Sequence, residues 1–232
     1  MRYLGGKARM AKDIVSVLNE YRKPNQLFVE PFVGAANIIS RMNGERHAYD
    51  NHRELIELYR ALQSGWIPPS ELTEQEYNAL KTGEKELHLK AFAGFGCSFG
   101  GKYFGGYARN NRGDGYCGAA KHTLLRDIAK MQNVKFGCKD YRDIEYNNAL
   151  IYCDPPYEKT TEYTTGSFDS NTFWQWCRDM QARGNTVIVS EYKAPDDFEC
   201  IWSKNVKLGL RTKNGCEDRV EKLFTPMAQT IR

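Results

Sequence analysis

Asp154-Pro155-Pro156-Tyr157 follows the apolar run Ala149-Leu150-Ile151-Tyr152-Cys153, and these residue types suit the activation of a conjugated amine. The exocyclic amine of a nucleobase is a poor nucleophile because its lone pair is delocalised into the ring, and it reacts better when acceptors hold both N–H groups. The Asp154 carboxylate can take one hydrogen and the Pro155 carbonyl the other. Neither proline has an N–H, and its fixed φ holds the carbonyl outward. Tyr157 can stack on a base drawn out of a helix. The same tetrapeptide also fits a strand end that prolines block, with Asp154 bonding the turn, so other segments must decide.

Several acids stand where strands should end. Phe28-Val29-Glu30-Pro31-Phe32-Val33-Gly34 puts Glu30 at a strand terminus and Gly34 at a helix entrance, the crevice in which doubly wound sheets hold nucleotide-like ligands. Asp50, about 20 residues on after its own strand, stands where a ribose-binding acid is common; an ordinary βα turn with a surface Asp explains the pair as well. Asp140-Tyr141 offers an acceptor for an adenine amine and an aromatic cover for its ring, or simply a cap and a turn. Gly5-Gly6-Lys7 is no phosphate loop, because no strand precedes it and Ala8 stands where Ser or Thr belongs. A terminal loop carrying Lys7 to an anionic group and a plain disordered terminus both remain open.

The elements that must position these residues are legible from periodicity. Met10, Ile14, Val17, Leu18 and Tyr21 predict a helix over 8–22; residues 26–30 and 46–49 predict strands, with a helical segment over 37–42 between them. Leu55, Leu58, Tyr59 and Leu62 share a helical face, and Thr73-Glu74-Gln75-Glu76 predicts a capping box. Residues 94–118 hold nine of the chain's 20 glycines among aromatic and basic residues, which predicts loops or a hairpin. Strands are expected at 133–136, 149–153, 186–190, 205–211 and 219–225, with a helix at about 170–183 and a closing hairpin around Lys213-Asn214-Gly215. The pattern predicts a doubly wound, mostly parallel α/β sheet in which 1–51 and 133–232 form one catalytic domain and 52–132 an inserted helical and Gly/aromatic-rich region.

The composition fits that plan: 232 residues, a net charge of +4 and seven cysteines with no Cys-x-x-Cys pair. The odd count without ligand spacing predicts reduced thiols, no metal site and a cytoplasmic setting. No run of about 18 apolar residues occurs, so no membrane span is expected.

Taken together, Tyr3-Leu4-Gly5-Gly6-Lys7, Phe28 to Ala35, Asp50-Asn51 and Asp154 to Tyr157, in that order, resemble the Dam-type DNA adenine N6-methyltransferases. The resemblance spans residue 2 to about 226. It implies a sheet of the S-adenosylmethionine-dependent methyltransferase type, that molecule as cofactor and target recognition as the role of the inserted 52–132. Tyr3 and Lys7 would touch its methionine portion, Glu30, Phe32 and Gly34 would line it, Asp50 would bind its ribose, and Asp140 with Tyr141 its adenine. Asp154, Pro155, Pro156 and Tyr157 would receive a flipped adenine, with Asp154 also near the cofactor. The partner implied is double-stranded DNA, met by a monomer or weak homodimer. Lys102, Arg109, Arg112, Lys121 and Arg126 can neutralise phosphates, and Tyr103, Asn110 and Arg112 can reach base edges. Two positions depart from the family: Ala36 stands for a usual glycine and adds a Cβ expected to face the cofactor, and Ser190-Glu191-Tyr192 replaces a common Ser-Asn. Cytosine N4 is the alternative target, and a DNA-binding module without activity the alternative class.

Overall fold

The computed structural model describes residues 1–110, 113, 115–156, 168–207 and 218–227. Tyr157, Arg112 and the turn around Asn214 lie outside the described residues. Helix α1 (Ala11–Tyr21) precedes β1 (Phe28–Glu30) and β2 (Arg46–Asp50). Four helices follow before the sheet resumes: α2 (Arg53–Gln63), α3 (Glu74–Thr82), α4 (Leu87–Ala91) and α5 (Cys117–Ile128). Then come β3 (Val134–Cys138), β4 (Leu150–Cys153), α6 (Ser170–Ala182), β5 (Thr186–Glu191), β6 (Phe198–Lys207) and β7 (Asp218–Pro226).

Among the described residues these strands form one sheet in the order β3-β2-β1-β4-β5-β7-β6. Strands β1 to β5 run parallel, and β7 is antiparallel to both β5 and β6. A parallel sheet covered on both faces favours strands without polar alternation; β1 and β4 have every residue buried, and the only charge in them is Glu30 at the carboxyl end of β1. Alternation sorts their side chains: Phe28, Leu150, Tyr152 and Ile188 pack with α1 and α2, while Val29, Ile151, Val187 and Val189 pack with α6. The chain order reverses between β1 and β4, which opens a crevice outside their carboxyl ends.

Three expectations change. The helix expected over 37–42 is a single 3-10 turn, Ile39–Arg41. Ala36 before it sits at φ +56, and the Ile39 N–H is taken by the Glu30 carboxylate at 2.8 Å, so the segment closes a turn instead of extending a helix. Strand β6 starts at Phe198, earlier than the apolar pattern indicates, because ladder pairing with β7 holds it through a bulge at Cys200/Trp202. The glycine-rich stretch is not only loop: a π-helical turn, Phe92–Gly96, extends α4, and single bridges join Ser98 to Tyr107 and Arg109 to Gly115.

The capping box forms as expected. Thr73 Oγ1 accepts from Glu76 N at 3.2 Å, and the Glu76 carboxylate accepts from Thr73 N at 2.7 Å. Thr73→Ala is therefore expected to lower stability by about 1 kcal/mol in urea denaturation, and no measurable loss would remove the cap's role in holding α3.

Candidate functional site

The carboxyl edge of the sheet gathers the acids: Glu30 ends β1, Asp50 ends β2, Asp154 follows β4 and Glu191 ends β5. Register brings them side by side, since Val29 pairs with Ile151 and Cys153 with Val189. The N-terminal segment lies across this edge as a strap. Leu4 N donates to Gly101 O at 3.2 Å, and the Tyr3 ring stacks on Phe95 at 4.9 Å. Gly34, at φ +42, lets that ring approach, because a Cβ there would come within 3.1 Å of it. The strap delivers Lys7 into the site, where only 4% of its side chain is exposed; Nζ lies 3.0 Å from Asp154 Oδ1 and 3.2 Å from Glu221 Oε1. The Ser190 hydroxyl donates to the same Glu221 oxygen at 2.6 Å.

The electrostatics follow from this geometry. Burial alone would favour a neutral Lys7, but Asp154 and Glu221 outweigh it and hold its pKa above the ordinary lysine range. Burial lifts Asp154 to about 6, with Glu221 adding to the rise and Lys7 opposing it. Glu191 is raised to about 7, mainly by burial and then by Asp154. Burial also pushes Glu30 well above the usual carboxylate range, and the Ile39 N–H only partly offsets it. Asp50 is raised by burial too, yet its orientation is set: Oδ2 accepts from Gly34 N at 3.1 Å and Oδ1 from His52 N at 3.0 Å. Each oxygen keeps a further lone pair for a hydroxyl donor.

An aromatic wall flanks the acids. Phe32 lies 5.4 Å from Tyr141, and Phe168 and Phe173 complete the group. Tyr141 is buried within it, whereas Asp140 is committed to Arg142 by a two-pronged pair at 2.8 and 3.0 Å. Asp140 thus caps its 3-10 turn, the alternative role its position offered. Pro155 is buried beside Asp154, and Pro156 is half-buried.

The basic residues of the insertion are dispersed. Lys102, Arg109, Asn110 and Arg126 are exposed, Arg109 lies 3.5 Å from Glu74 and over the Tyr107 ring, and Lys121 donates to Ser70 at 2.9 Å. Tyr103 is turned inward against His52, Phe95 and Phe104, with its hydroxyl buried, so the expected contact with a base edge does not hold in this arrangement. The Ala36 methyl, expected to face a cofactor, is instead 2% exposed and packed in the core.

Sequence reasoning missed Glu221. Its signal was present: Glu221 shares a strand face with Leu223 and Thr225, so an acid occupies a position where an inward residue belongs.

Fold and site together define a doubly wound α/β protein whose switch-point crevice is bordered by carboxylates around the buried Lys7. No family model and no curated protein matches the chain by sequence. Among solved structures, it is similar to the rRNA methyltransferase aviRa from Streptomyces viridochromogenes, at 12% identity and a TM-score of 0.47, over 96% of this chain and 86% of that one. It is also similar to precorrin 8w decarboxylase from Methanobacterium thermoautotrophicum, at 10% identity and a TM-score of 0.41, over 95% and 90% of the two chains. Overlap at this level carries no argument about substrate or reaction.

Proposed function

We propose that this chain is a DNA methyltransferase that transfers the methyl group of S-adenosylmethionine to N6 of a flipped adenine in double-stranded DNA. The observation that carries the reading is Asp154, held by the buried Lys7 at the mouth of the switch-point crevice with Pro155 beside it.

The residues present fit the cofactor. Its sulfonium and ammonium are cationic, and Glu30, Asp50, Asp154 and Glu191 stand at the strand ends that border the crevice, with the buried Lys7 paired to Asp154. Asp50 suits a ribose, since backbone donors fix its carboxylate with acceptor capacity to spare. Phe32 and Tyr141 give an apolar wall for a purine. When bound, the cofactor supplies an electrophilic methyl group. Everything else falls to the chain. Asp154 accepts one N–H of the amine, the Pro155 carbonyl accepts the other, and the nitrogen lone pair is freed toward the methyl. Raised to about 6, Asp154 is a stronger acceptor than an exposed aspartate and the nearest base for the proton the amine sheds.

DNA as the substrate is supported by the exposed Lys102, Arg109, Asn110 and Arg126, and by Phe99, which stands 71% exposed on the turn that anchors the strap. Such a residue can fill the gap a flipped base leaves.

The test incubates the purified chain with duplex DNA and cofactor labelled in its methyl group, followed by digestion to nucleosides. Label in N6-methyl-2′-deoxyadenosine is expected. Label in N4-methyl-2′-deoxycytidine would move the target to the alternative base, and no incorporation together with no calorimetric signal for S-adenosylmethionine at millimolar concentration would favour an inactive DNA-binding module.

A further inference from the structure

Glu221 belongs to none of the motifs read from the sequence, yet it is among the most deeply buried charges of the protein. Its side chain is 5% exposed, it lies 3.2 Å from Lys7 Nζ, and the Ser190 hydroxyl fixes the oxygen that faces the ammonium. Lys7 therefore serves two carboxylates at nearly equal distance, 3.0 Å to Asp154 and 3.2 Å to Glu221.

A buried carboxylate that faces an ammonium alone loses acceptor strength, because the cation stabilises its charge. With a second carboxylate on the same ammonium, that stabilisation is divided and the like charge acts in the opposite sense. We infer that Glu221, anchored by Ser190, is a positioning residue that takes part of the Lys7 charge and so sets the acceptor strength of Asp154 toward the substrate amine. This rests on the function proposed above for what Asp154 accepts, but the coupling among the three charges is a property of the protein alone. Among the described residues, the other groups that interact with Asp154 are Glu30 from β1, Tyr152 and Cys153 from β4 and Glu191 from β5, and Glu221→Gln alters none of these side chains.

The decisive measurement needs no substrate. Carboxyl carbon NMR titration of Asp154 is compared between the wild type and Glu221→Gln. Removing the competing carboxylate leaves Lys7 to Asp154, so the Asp154 midpoint is expected to fall by about one pH unit. Should Glu221→Gln fail to fold by circular dichroism, Ser190→Ala, which releases Glu221 without removing its charge, is expected to move the midpoint the same way by less. An unchanged midpoint in the folded variant would overturn the inference.

With DNA and cofactor, Glu221→Gln is expected to lower kcat about tenfold with KM for DNA within about threefold, and to move the acid limb of the rate profile down with the midpoint. A merely structural role would lower the plateau and leave the limb in place, which would also overturn it. If the wild type methylates nothing while the midpoint still shifts, the proposed function fails and the coupling stands.

Discussion

Asp154→Asn is expected to lower methyl transfer by about 10²–10³-fold while duplex binding stays within a few-fold, and Asp154→Ala is expected to abolish it. The amide keeps the size of the carboxylate but replaces a charged acceptor with a neutral one at the point where positive charge grows on the amine, and losing one such preorganised group typically costs about 3–4 kcal/mol of barrier. The pH dependence carries the same signature. Asp154 must be ionised to accept, so the wild-type rate should fall roughly tenfold per pH unit below about 6. Stability runs the other way. Because burial holds the folded-state pKa near 6, above the ordinary 3.8, the contribution of this group is full below about pH 4 and is lost as pH rises through about 6. Asp154→Asn should flatten that slope in urea denaturation across the same window. Normal methylation by the alanine variant would sink the assignment of Asp154.

The second large effect is expected far from the chemistry, at Gly101. Its φ is +72, and an added Cβ would come within 2.5 Å of Tyr3 N and 2.6 Å of the Arg2 carbonyl carbon. Those are backbone atoms, so they cannot turn aside as a side chain would. The strap must lift, and with it the Leu4 N to Gly101 O hydrogen bond, the Tyr3 ring and the Lys7 ammonium. Gly101→Ala is expected to destabilise by about 2–3 kcal/mol and to lower kcat/KM about 100-fold. Gly100 is the control: its φ is +64, but nothing lies within 4 Å of an added Cβ, so Gly100→Ala carries only the left-handed strain of about 1 kcal/mol. Paired thermal melts and turnover assays separate the two, and equal effects at both glycines would show that the strap contact does not matter.

These two sites differ in how readable they were. Asp154 was visible because two prolines and an aromatic bracket it after a continuous apolar run, and the parallel strands were visible because burial on both faces removes polar alternation. Local pattern failed wherever distant residues decide the outcome. The 3-10 turn at Ile39 exists because Glu30 claims an amide nine positions away, and Tyr103 turns inward because His52 and Phe95 leave room for its ring. Gly101 was one glycine in a crowd, and only the strap lying on it makes it special. Glu221 sits on the inward face of its strand, but its partner Lys7 lies at the other end of the chain, so local pattern could not name the charge that balances it.

That meeting also bears on when the site comes into being. Lys7 and Glu221 stand 214 positions apart in the sequence (221 − 7), so their ion pair closes a chain segment nearly as long as the protein. Closure entropy rises with the logarithm of segment length, and contacts of such separation form only after local helices and neighbouring strands have docked. The charged trio should therefore assemble last on refolding and open first when β7 loosens. A refolding chain would pass through a state with a formed sheet and a silent active site, and recovery of turnover should lag behind recovery of helical signal.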